Sequence, residues 1–454
     1  MGNLLTSLLN STGALSVYDR AFSVIQNNIA NVNTPGYVDQ NQSLVAAPLD
    51  LTGGVGGGVI AGPVLSSRSE YLEQDVRNQQ SFLGNAQQRA SDLAQVEPLF
   101  DITGDSGVPG QLNAFFNSFS QLSVNPNSDS GRQSVLAAAQ SLAQSINQNA
   151  AGITQAMNNV DGQIPGVVDE INRLAQQITS LNTQFGQGVG ASQDAGLDAQ
   201  MHTALENLSS LVNFTVLKNP DGAVNIYIDG QTPLVINQHQ YAISPDFSSP
   251  QTVIRDAQGN DITKQIAGGS LGALLQEKNS ILPGYMADLN TFAQNLADQV
   301  NQQLAQGLDK SGNPPVVNLF SYRAASPASS LAVTGITPDQ IAAAASGAPG
   351  GNGNALAIAQ MAETGSINGV SFTQFYGNLG ARVGRDVSRA NADQSQAQDL
   401  VSQAQQIRQQ ETGVNLDAEA AKLLQFQQAY QAVAKVVTVM NDLTQTVINM
   451  IPQS

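Results

Sequence analysis

The sequence predicts a mainly α-helical protein with terminal coiled-coil helices, a long helical bundle domain and a small outer β domain inserted into it. Apolar residues recur at alternating spacings of three and four at both ends of the chain, and similar amphipathic stretches fill much of its interior. A period of two replaces this pattern after residue 211. Because the chain has 454 residues, of which 41% are hydrophobic, it can build more than one core.

The first element is a helix at the amino terminus, and its apolar stripe contains one polar residue. The stripe consists of Leu4, Leu8, Ser11, Leu15, Tyr18, Phe22, Ile25 and Ile29. This spacing is typical of a coiled-coil seam. We expect the helix to end within residues 31–37, because Pro35 cannot donate a helical hydrogen bond and Gly36 permits a turn.

Residues 42–63 contain a glycine-rich run at positions 53–58, which predicts a flexible linker between the first helix and the body. A phosphate-binding loop is disfavoured, because no Lys-Ser or Lys-Thr pair follows the glycines.

Long helices are expected over residues 64–210 and 268–413, which together form the helical domain. Their amphipathic positions include Phe82, Ala86, Arg89, Leu93 and Val96, then Leu112, Phe115, Phe116, Phe119 and Leu122, then Ile164, Val168, Ile171, Leu174, Ile178 and Leu181. The pattern breaks at residues 125–127 and again over the loop-rich residues 326–354, where residues 341–345 suggest one helical turn. The last body helix covers roughly residues 372–410.

Residues 211–267 form the inserted β domain in this interpretation. Alternating apolar residues on both sides of a turn at 219–222 predict a β-hairpin. Further short strands are expected at residues 234–236, 241–243 and 252–254.

The last element is a helix that repeats the coiled-coil spacing of the first. Its stripe consists of Leu423, Phe426, Tyr430, Val433, Val437, Met440, Thr444, Val447 and Ile451. Asn415 or Asp417 is the expected N-cap, after the break at Thr412 and Gly413. Residues 1–41 and 414–454 are therefore predicted to pair as a terminal coiled-coil core.

Both ends also carry motifs that resemble those of a known family. Residues 27–37 resemble the N-terminal signature of the flagellar rod, hook and hook-associated axial proteins, and residues 412–432 are similar to the matching C-terminal signature. The signature positions are Asn28, Ala30, Asn31, Asn33, Thr34, Pro35, Gly36, Tyr37, Gly413, Val414, Asn415, Asp417, Gln427 and Tyr430. Residues 115–136 and 171–182 resemble the helical domain of the hook-associated branch. Residues 195–202 keep Leu197 and Asp198 of the family pattern but lack the charged pair that follows.

This resemblance implies a structural component of the bacterial flagellum that assembles by its terminal helices into the junction between hook and filament. It also implies secretion through the flagellar type III export apparatus with an export chaperone. The implied partners in the assembly are other copies of the chain, the hook protein and a second hook–filament junction protein, hook-associated protein 3. The expected interface residues are Leu8, Leu15, Phe22, Ile25, Ile29, Leu423, Phe426, Tyr430, Val437 and Met440.

Two alternatives remain open at this point. A hook or distal-rod protein would share the chain ends, but we do not expect it to carry the helical segment at residues 115–136. A secreted enzyme on a helical scaffold would need titratable groups clustered in a pocket.

The composition predicts no catalytic, cofactor-binding or metal-binding residues. The formal charge of −17 disfavours nucleic acid as a partner, and the absence of Cys excludes disulfides, thiolate metal sites and Cys nucleophiles. His202 and Glu206 lie one helical turn apart, but a zinc site needs further ligands. No apolar run is long enough to predict a membrane span, and the stretch before Arg20 lacks the basic flank of a cleaved leader.

The acidic residues are concentrated away from the chain ends. Residues 1–41 and residues 414–454 each carry a net charge of −1, which leaves −15 for residues 42–413. We therefore expect the ends to pack against other copies with little charge repulsion, and to remain largely disordered until they do so.

Overall fold

The computed structural model describes residues 2–48, 57–100, 107–187, 194–364 and 367–450. Most of the glycine-rich run and Ile451 of the last apolar stripe lie outside these residues. Contacts within the chain divide it into two compact units. Unit 1 consists of Met1–Phe82, Glu170–Ile243 and Ala397–Ser454, and unit 2 consists of Leu83–Asp169 and Ser244–Gln396. The domain boundaries expected from the sequence stay a prediction.

Long helices dominate the structure, as the sequence predicts. The α-helices are α1 (Gly2–Ala30), α2 (Glu70–Val96), α3 (Val108–Val124), α4 (Asp129–Gln187), α5 (Ala195–Ser209), α6 (Gly269–Gln276), α7 (Leu282–Ala305), α8 (Pro327–Ser330), α9 (Gly353–Thr364), α10 (Phe372–Thr412) and α11 (Leu416–Asn449). A π-helical segment, Glu277–Ile281, separates α6 from α7. The helices α2, α4 and α10 contribute residues to both units.

The strands are short and antiparallel. They are β1 (Gln40–Ala46), β2 (Val59–Ser66), β3 (Phe214–Lys218), β4 (Val224–Ile228), β5 (Thr232–Ile236), β6 (His239–Gln240), β7 (Ser244–Asp246), β8 (Val253–Arg255), β9 (Gly307–Leu308), β10 (Phe320–Ser321), β11 (Ala332–Val333) and β12 (Ala344–Ala345). The strands β3 to β6 form one four-stranded sheet, and the others pair in twos. This combination confirms the fold class of a mainly helical chain with a small sheet-rich insertion.

Unit 1 holds both chain ends. In it, α1 contacts α11 and also the β1–β2 hairpin. The four-stranded sheet belongs to the same unit, and Asn182 of α4 binds the ends of its two central strands by donating to the carbonyl oxygens of Val224 and Asn237 at 2.8 and 2.6 Å. The sheet insertion is therefore anchored by a buried side-chain amide as well as by apolar packing.

Unit 2 is built around an aromatic core. Phe115 of α3 lies 5.4 Å from Phe119 and 5.6 Å from Phe320 between ring centroids. Phe292 of α7 lies 5.5 Å from Tyr376 of α10. Each of these five side chains is almost fully buried, so they form a contiguous core, which the spacing of the helical stripes predicts for the α3 members.

The prediction of a flexible linker at residues 42–63 is wrong for residues 42–48 and 57–63, the two parts of this segment that the structure describes. These residues form most of the β1–β2 hairpin, with Leu44 paired to Ala61 and Val45 paired to Ile60. The glycine-rich run dominates the composition of this segment, but the β-branched and aliphatic residues beside it favour strands.

Two other local expectations also differ from the structure. Residues 241–243 are not a strand, because the side chain of Asn172 binds the backbone N–H and carbonyl of Ile243 in place of a neighbouring strand. Residues 341–345 are not helical, since Arg132 donates to the carbonyl oxygen of Ile341 and Ala344–Ala345 pairs with β9.

Candidate assembly interface

The two terminal helices pack on each other along the stripes that the sequence predicts. Tyr18 lies next to Phe426 and Phe22 next to Tyr430, with ring centroids 6.0 Å apart in each pair. On α11 the half-buried positions include Leu423, Phe426, Tyr430, Val433, Val437, Met440, Thr444 and Val447. The chain ends therefore pair within a single copy.

The most buried line of α1 is rotated away from the predicted seam. Ala14, Val17, Ala21 and Ile25 are at most 9% exposed, whereas Leu8, Leu15 and Phe22 are half-buried and Ile29 is 38% exposed. The rotation has a simple cause, since α1 contacts the β1–β2 hairpin as well as α11. Small residues on α1 allow both partners to approach closely.

The signature residues after α1 form a tight turn. Asn31 donates its side-chain amide to Asn27 Oδ1 at 2.6 Å, and the hydroxyl of Thr34 donates to Asn31 Oδ1 at 3.0 Å. Gly36 has a φ of +74°, and a Cβ atom there would lie 2.6 Å from the carbonyl oxygen of Ala199. Only glycine fits this position, for both conformational and steric reasons. Ala30, Asn33 and Pro35, which share the signature, are exposed.

Asn28 connects the two chain ends through buried hydrogen bonds. Its Nδ2 lies 2.7 Å from Asp39 Oδ1, 2.8 Å from the carbonyl oxygen of Gln40 and 3.0 Å from Glu419 Oε2. Its Oδ1 accepts from the Tyr37 hydroxyl at 2.9 Å and from the Gln40 N–H at 3.1 Å. Because the side chain is fully buried and both of its polar atoms are occupied, it specifies one arrangement of α1, β1 and α11.

One lysine lies between the two carboxylates around Asn28. Lys422 Nζ lies 2.6 Å from Glu419 Oε1 and 3.5 Å from Asp39 Oδ2. Burial raises the pKa of Asp39, although the charge of Lys422 opposes this. Burial and the charges of Asp39 and Glu419 raise the pKa of Tyr37 to about 12, so its hydroxyl remains a donor to Asn28 at neutral pH.

The C-terminal signature residues cap α11. The side chain of Asn415 accepts hydrogen bonds from the N–H groups of Asp417 and Ala418 at 3.0 and 3.1 Å, which confirms the expected N-cap. Val414 is buried, and a Cβ atom at Gly413 would lie 2.4 Å from the carbonyl oxygen of Gln409. Gln427 is exposed.

A second polar cluster fixes the turn to the rest of unit 1, and sequence reasoning does not identify it. Arg68 donates to the carbonyl oxygen of Gly36 at 2.6 Å, to Asp198 Oδ2 at 2.6 Å and to Glu73 Oε1 at 2.5 Å. Arg408 of α10 donates to the other oxygen of Glu73 at 3.1 Å. We call Arg68, Glu73, Asp198, Glu206 and Arg408 the arginine knot. Burial alone would raise the pKa of Glu73, but its contacts with His202, Arg68 and Arg408 hold that pKa far below the usual range.

His202 and Glu206 belong to this region and not to a metal site in the described residues. Glu206 accepts from Arg408 at 2.9 Å. His202 Nδ1 is 3.6 Å from Glu73 Oε2 and has no hydrogen-bond partner among the described residues. Burial lowers the pKa of His202, against the effect of Glu73. In the part of the chain that the structure describes, no group of three or more acidic, His or Cys side chains is arranged to hold a metal ion.

An apolar surface of α11 lies beside the stripe that contacts α1 and is exposed. Val436, Val439, Leu443 and Met450 follow spacings of three, four and seven residues, and their exposed fractions are 46%, 56%, 49% and 77%. Their positions lie about a quarter to a third of a turn from the stripe that contacts α1. We call these four residues the outer stripe. None of the helices in the described residues combines the length and apolar character needed to cross a membrane.

Three family models match different parts of the chain. The flagellar hook-associated protein FlgK helical domain matches residues 93–320, which is half of the chain. The flagellar basal body rod FlgEFG protein C-terminal model matches residues 405–450, and the flagella basal body rod protein model matches residues 8–37. The last two models cover the paired ends and the signature turn.

Similar proteins agree with these matches. The flagellar hook-associated protein 1 of Bacillus subtilis is 29% identical over 96% of this chain and 96% of its own length. The Salmonella typhimurium protein of the same name is 27% identical over 68% of this chain and 58% of its own length. The structure of the flagellar hook junction protein FlgK from Burkholderia pseudomallei has the same fold, with a TM-score of 0.67 over 74% of this chain and 99% of that chain at 16% identity. This chain therefore belongs to the flagellar hook-associated protein FlgK family.

Proposed function

We propose that this chain is a structural component of the bacterial flagellum that assembles by its terminal helices into the junction between hook and filament. The outer stripe is the observation that carries this proposal, because it is an apolar surface on a terminal helix that stays exposed in the described part of the chain. Membership of the FlgK family supports the location at the junction.

The pairing of the chain ends suggests how assembly proceeds. The inner stripes of α1 and α11 are half-buried against each other, and the Asn28 hydrogen bonds hold them in one register. The outer stripe then contacts a different surface of a neighbouring copy, as a ring or tube wall requires. In this scheme Leu8, Leu15, Phe22 and Ile29, which remain partly exposed, contribute to the same contacts between copies.

The remaining partners belong to the same proposal. Within the junction the chain would contact hook protein on one side and hook-associated protein 3 on the other. It would reach this place by secretion through the type III apparatus, with the help of an export chaperone. The helical domain match at residues 93–320 favours this role over that of a hook or distal-rod protein, whose models match only the chain ends. The charged groups of the arginine knot bind one another and the backbone around structural contacts, which favours a structural role over catalysis.

A substitution in the outer stripe tests the proposal. Val439→Asp and Leu443→Asp would bury a carboxylate without a partner wherever this stripe contacts another copy, at a cost of about 2 kcal/mol or more per contact. We expect a bacterium that depends on either variant to secrete the protein but to attach few or no filaments, as counted by electron microscopy.

The matched control is Gln445→Asp, which places the same charge on the opposite, exposed side of α11. Circular dichroism of the three purified variants would check that their helix content is equal. Normal filament numbers with both stripe variants would show that the outer stripe is not an assembly surface.

A further inference from the structure

A small pocket in unit 1 has Arg77 in its wall. It lies between α2 and the residues that connect α5 to β3, and its volume is about 180 Å³. Its lining consists of Gln74, Arg77, Asn78, Ser81, Ser209, Val212, Asn213, Phe214, Thr215 and Val216. The wall is therefore rich in neutral polar groups, with one cationic side chain.

Arg77 lacks the partners that a buried arginine normally has. The residue is 9% exposed, and its Nη1 is fully buried without a hydrogen-bond partner. Within the described residues Arg77 forms no hydrogen bond, and no carboxylate lies within 4.0 Å of its guanidinium. Every other arginine of the arginine knot region is paired, so Arg77 is a buried cation that still has unused donors.

The surrounding charges favour a ligand with a single negative charge. Among the described residues that line the pocket, none is acidic. Burial lowers the pKa of Arg77, and the more distant carboxylates of Glu70, Glu73 and Glu206 partly offset this effect. The same three carboxylates would repel a dianion such as phosphate more strongly than a monoanion.

We propose that the Arg77 pocket binds one carboxylate group. The guanidinium would donate to it, since planar carboxylates match the paired N–H groups of arginine, and Gln74 and Asn78 line the same pocket as further amide donors. The carboxylate could belong to a small organic acid or to an Asp or Glu side chain of a second copy, because the chain carries 35 acidic residues.

Acetate is the probe for binding of a small organic acid. Thermal unfolding of the full chain in sodium acetate is compared with unfolding in sodium chloride at equal ionic strength and pH. For a site with a Kd of about 10 mM, 200 mM acetate should multiply the folding equilibrium constant of unit 1 about twentyfold. Arg77→Met should abolish this difference, whereas Arg173→Met, which removes an exposed arginine of the same unit, should keep it. An equal acetate effect in the wild type and in Arg77→Met would overturn the proposal.

A carboxylate supplied within the chain gives a second test that does not depend on removing Arg77. Gln74→Glu places a carboxylate on the same pocket wall, one helical turn before Arg77. We expect this variant to be more stable than the wild type and to lose its response to acetate. An acetate response that is unchanged by Gln74→Glu would overturn the proposal.

Sedimentation velocity distinguishes the two sources. If a second copy supplies the carboxylate, the wild type should self-associate with increasing concentration, and either acetate or Arg77→Met should weaken that association. If a small acid is the ligand, the acetate effect on unfolding should occur with no change in sedimentation. An absence of both effects would refute carboxylate binding.

Discussion

Asn28 and Gly36 illustrate how single residues of a short motif acquire their roles. Asn28 satisfies buried groups from two distant parts of the chain, and Gly36 adopts a backbone conformation that other residues rarely take. Arg68 then binds the carbonyl oxygen of Gly36, so the turn is held from outside as well as from within. These residues hold other groups of unit 1 in place. We therefore expect their substitution to lower the stability of the fold, and to affect assembly only through that loss.

We expect Asn28→Ala to destabilise unit 1 by about 2–4 kcal/mol. The substitution leaves Glu419 Oε2 and the N–H of Gln40 without the side chain that binds both of them in the wild type. Urea unfolding followed by circular dichroism measures the change. Asn33→Ala, in the exposed part of the same turn, is the control, and an equal loss in both variants would contradict the assigned role of Asn28.

Gly36→Ala should cost about 2–4 kcal/mol, because it adds a steric clash to an unfavourable φ. Gly259 has a similar φ of +86°, but a Cβ atom there would meet nothing within 4 Å. Gly259→Ala therefore measures the conformational cost alone, which we expect to be about 1–2 kcal/mol. Thermal unfolding of both variants would compare them, and a smaller loss for Gly36→Ala than for Gly259→Ala would show that Ala199 moves aside.

Among the elements, the π-helical segment Glu277–Ile281 places three consecutive side chains against three different partners. Glu277 lies beside Asp92, Lys278 binds Asp161, and Asn279 binds the backbone of Thr252. Glu277 is fully buried, and burial together with Asp92 raises its pKa to about 10. The carboxyl group is therefore neutral at physiological pH, which explains how two acidic side chains can be adjacent inside unit 2.

The buried Glu277 predicts that the stability of unit 2 changes with pH in the neutral and alkaline range. Glu277 keeps its proton in the folded state up to a pKa of about 10 but releases it near pH 4.5 when unfolded, so unit 2 should lose stability as the pH rises between these values. Glu277→Gln should flatten this slope, as measured by chemical unfolding between pH 6 and pH 9. Glu97→Gln, at an exposed position, is the control, and a slope that survives Glu277→Gln would show that another group titrates.

At the scale of the whole molecule, charge is distributed differently in the two units. Unit 1 contains paired acidic and basic side chains in the arginine knot, together with a neutral His202. Unit 2 contains the carboxyl pair of Glu277 and Asp92. Acid should therefore act on the two units in opposite directions.

Acidification from pH 8 to pH 5 should weaken unit 1 and stabilise unit 2. The pKa of His202 is lowered by burial, so its contribution to unit 1 is complete above about pH 6.5 and is lost as the pH falls. The lowered pKa of Glu73 has the same sign and acts below about pH 4.5. Hydrogen exchange at pH 8 and pH 5, corrected for intrinsic rates, should show less protection in α5 and more in α7 at the lower pH. A parallel change in both helices would contradict this prediction.

Much of the secondary structure could be predicted from sequence because its causes are local. The stripes of α1 and α11, the cap at Asn415 and the break before α4 all depend on residues within one or two turns of each other. The β1–β2 hairpin and the segment at residues 341–345 could not be predicted in the same way. Their conformation depends on pairing with distant segments, such as β9 and the side chain of Arg132.

By itself the sequence determined the helical class, the pairing stripes at both ends and the signature turn, since periodicity and turn chemistry act over short distances. Only the tertiary structure decided which polar groups meet. Asn28 and Glu419 are 391 positions apart, Arg68 and Asp198 are 130 apart, and Arg77 Nη1 has no hydrogen-bond partner among the described residues although acidic residues lie on the same helix. Hydrogen bonds and ion pairs depend on distances of a few ångströms, which the fold sets and the linear order of residues does not reveal.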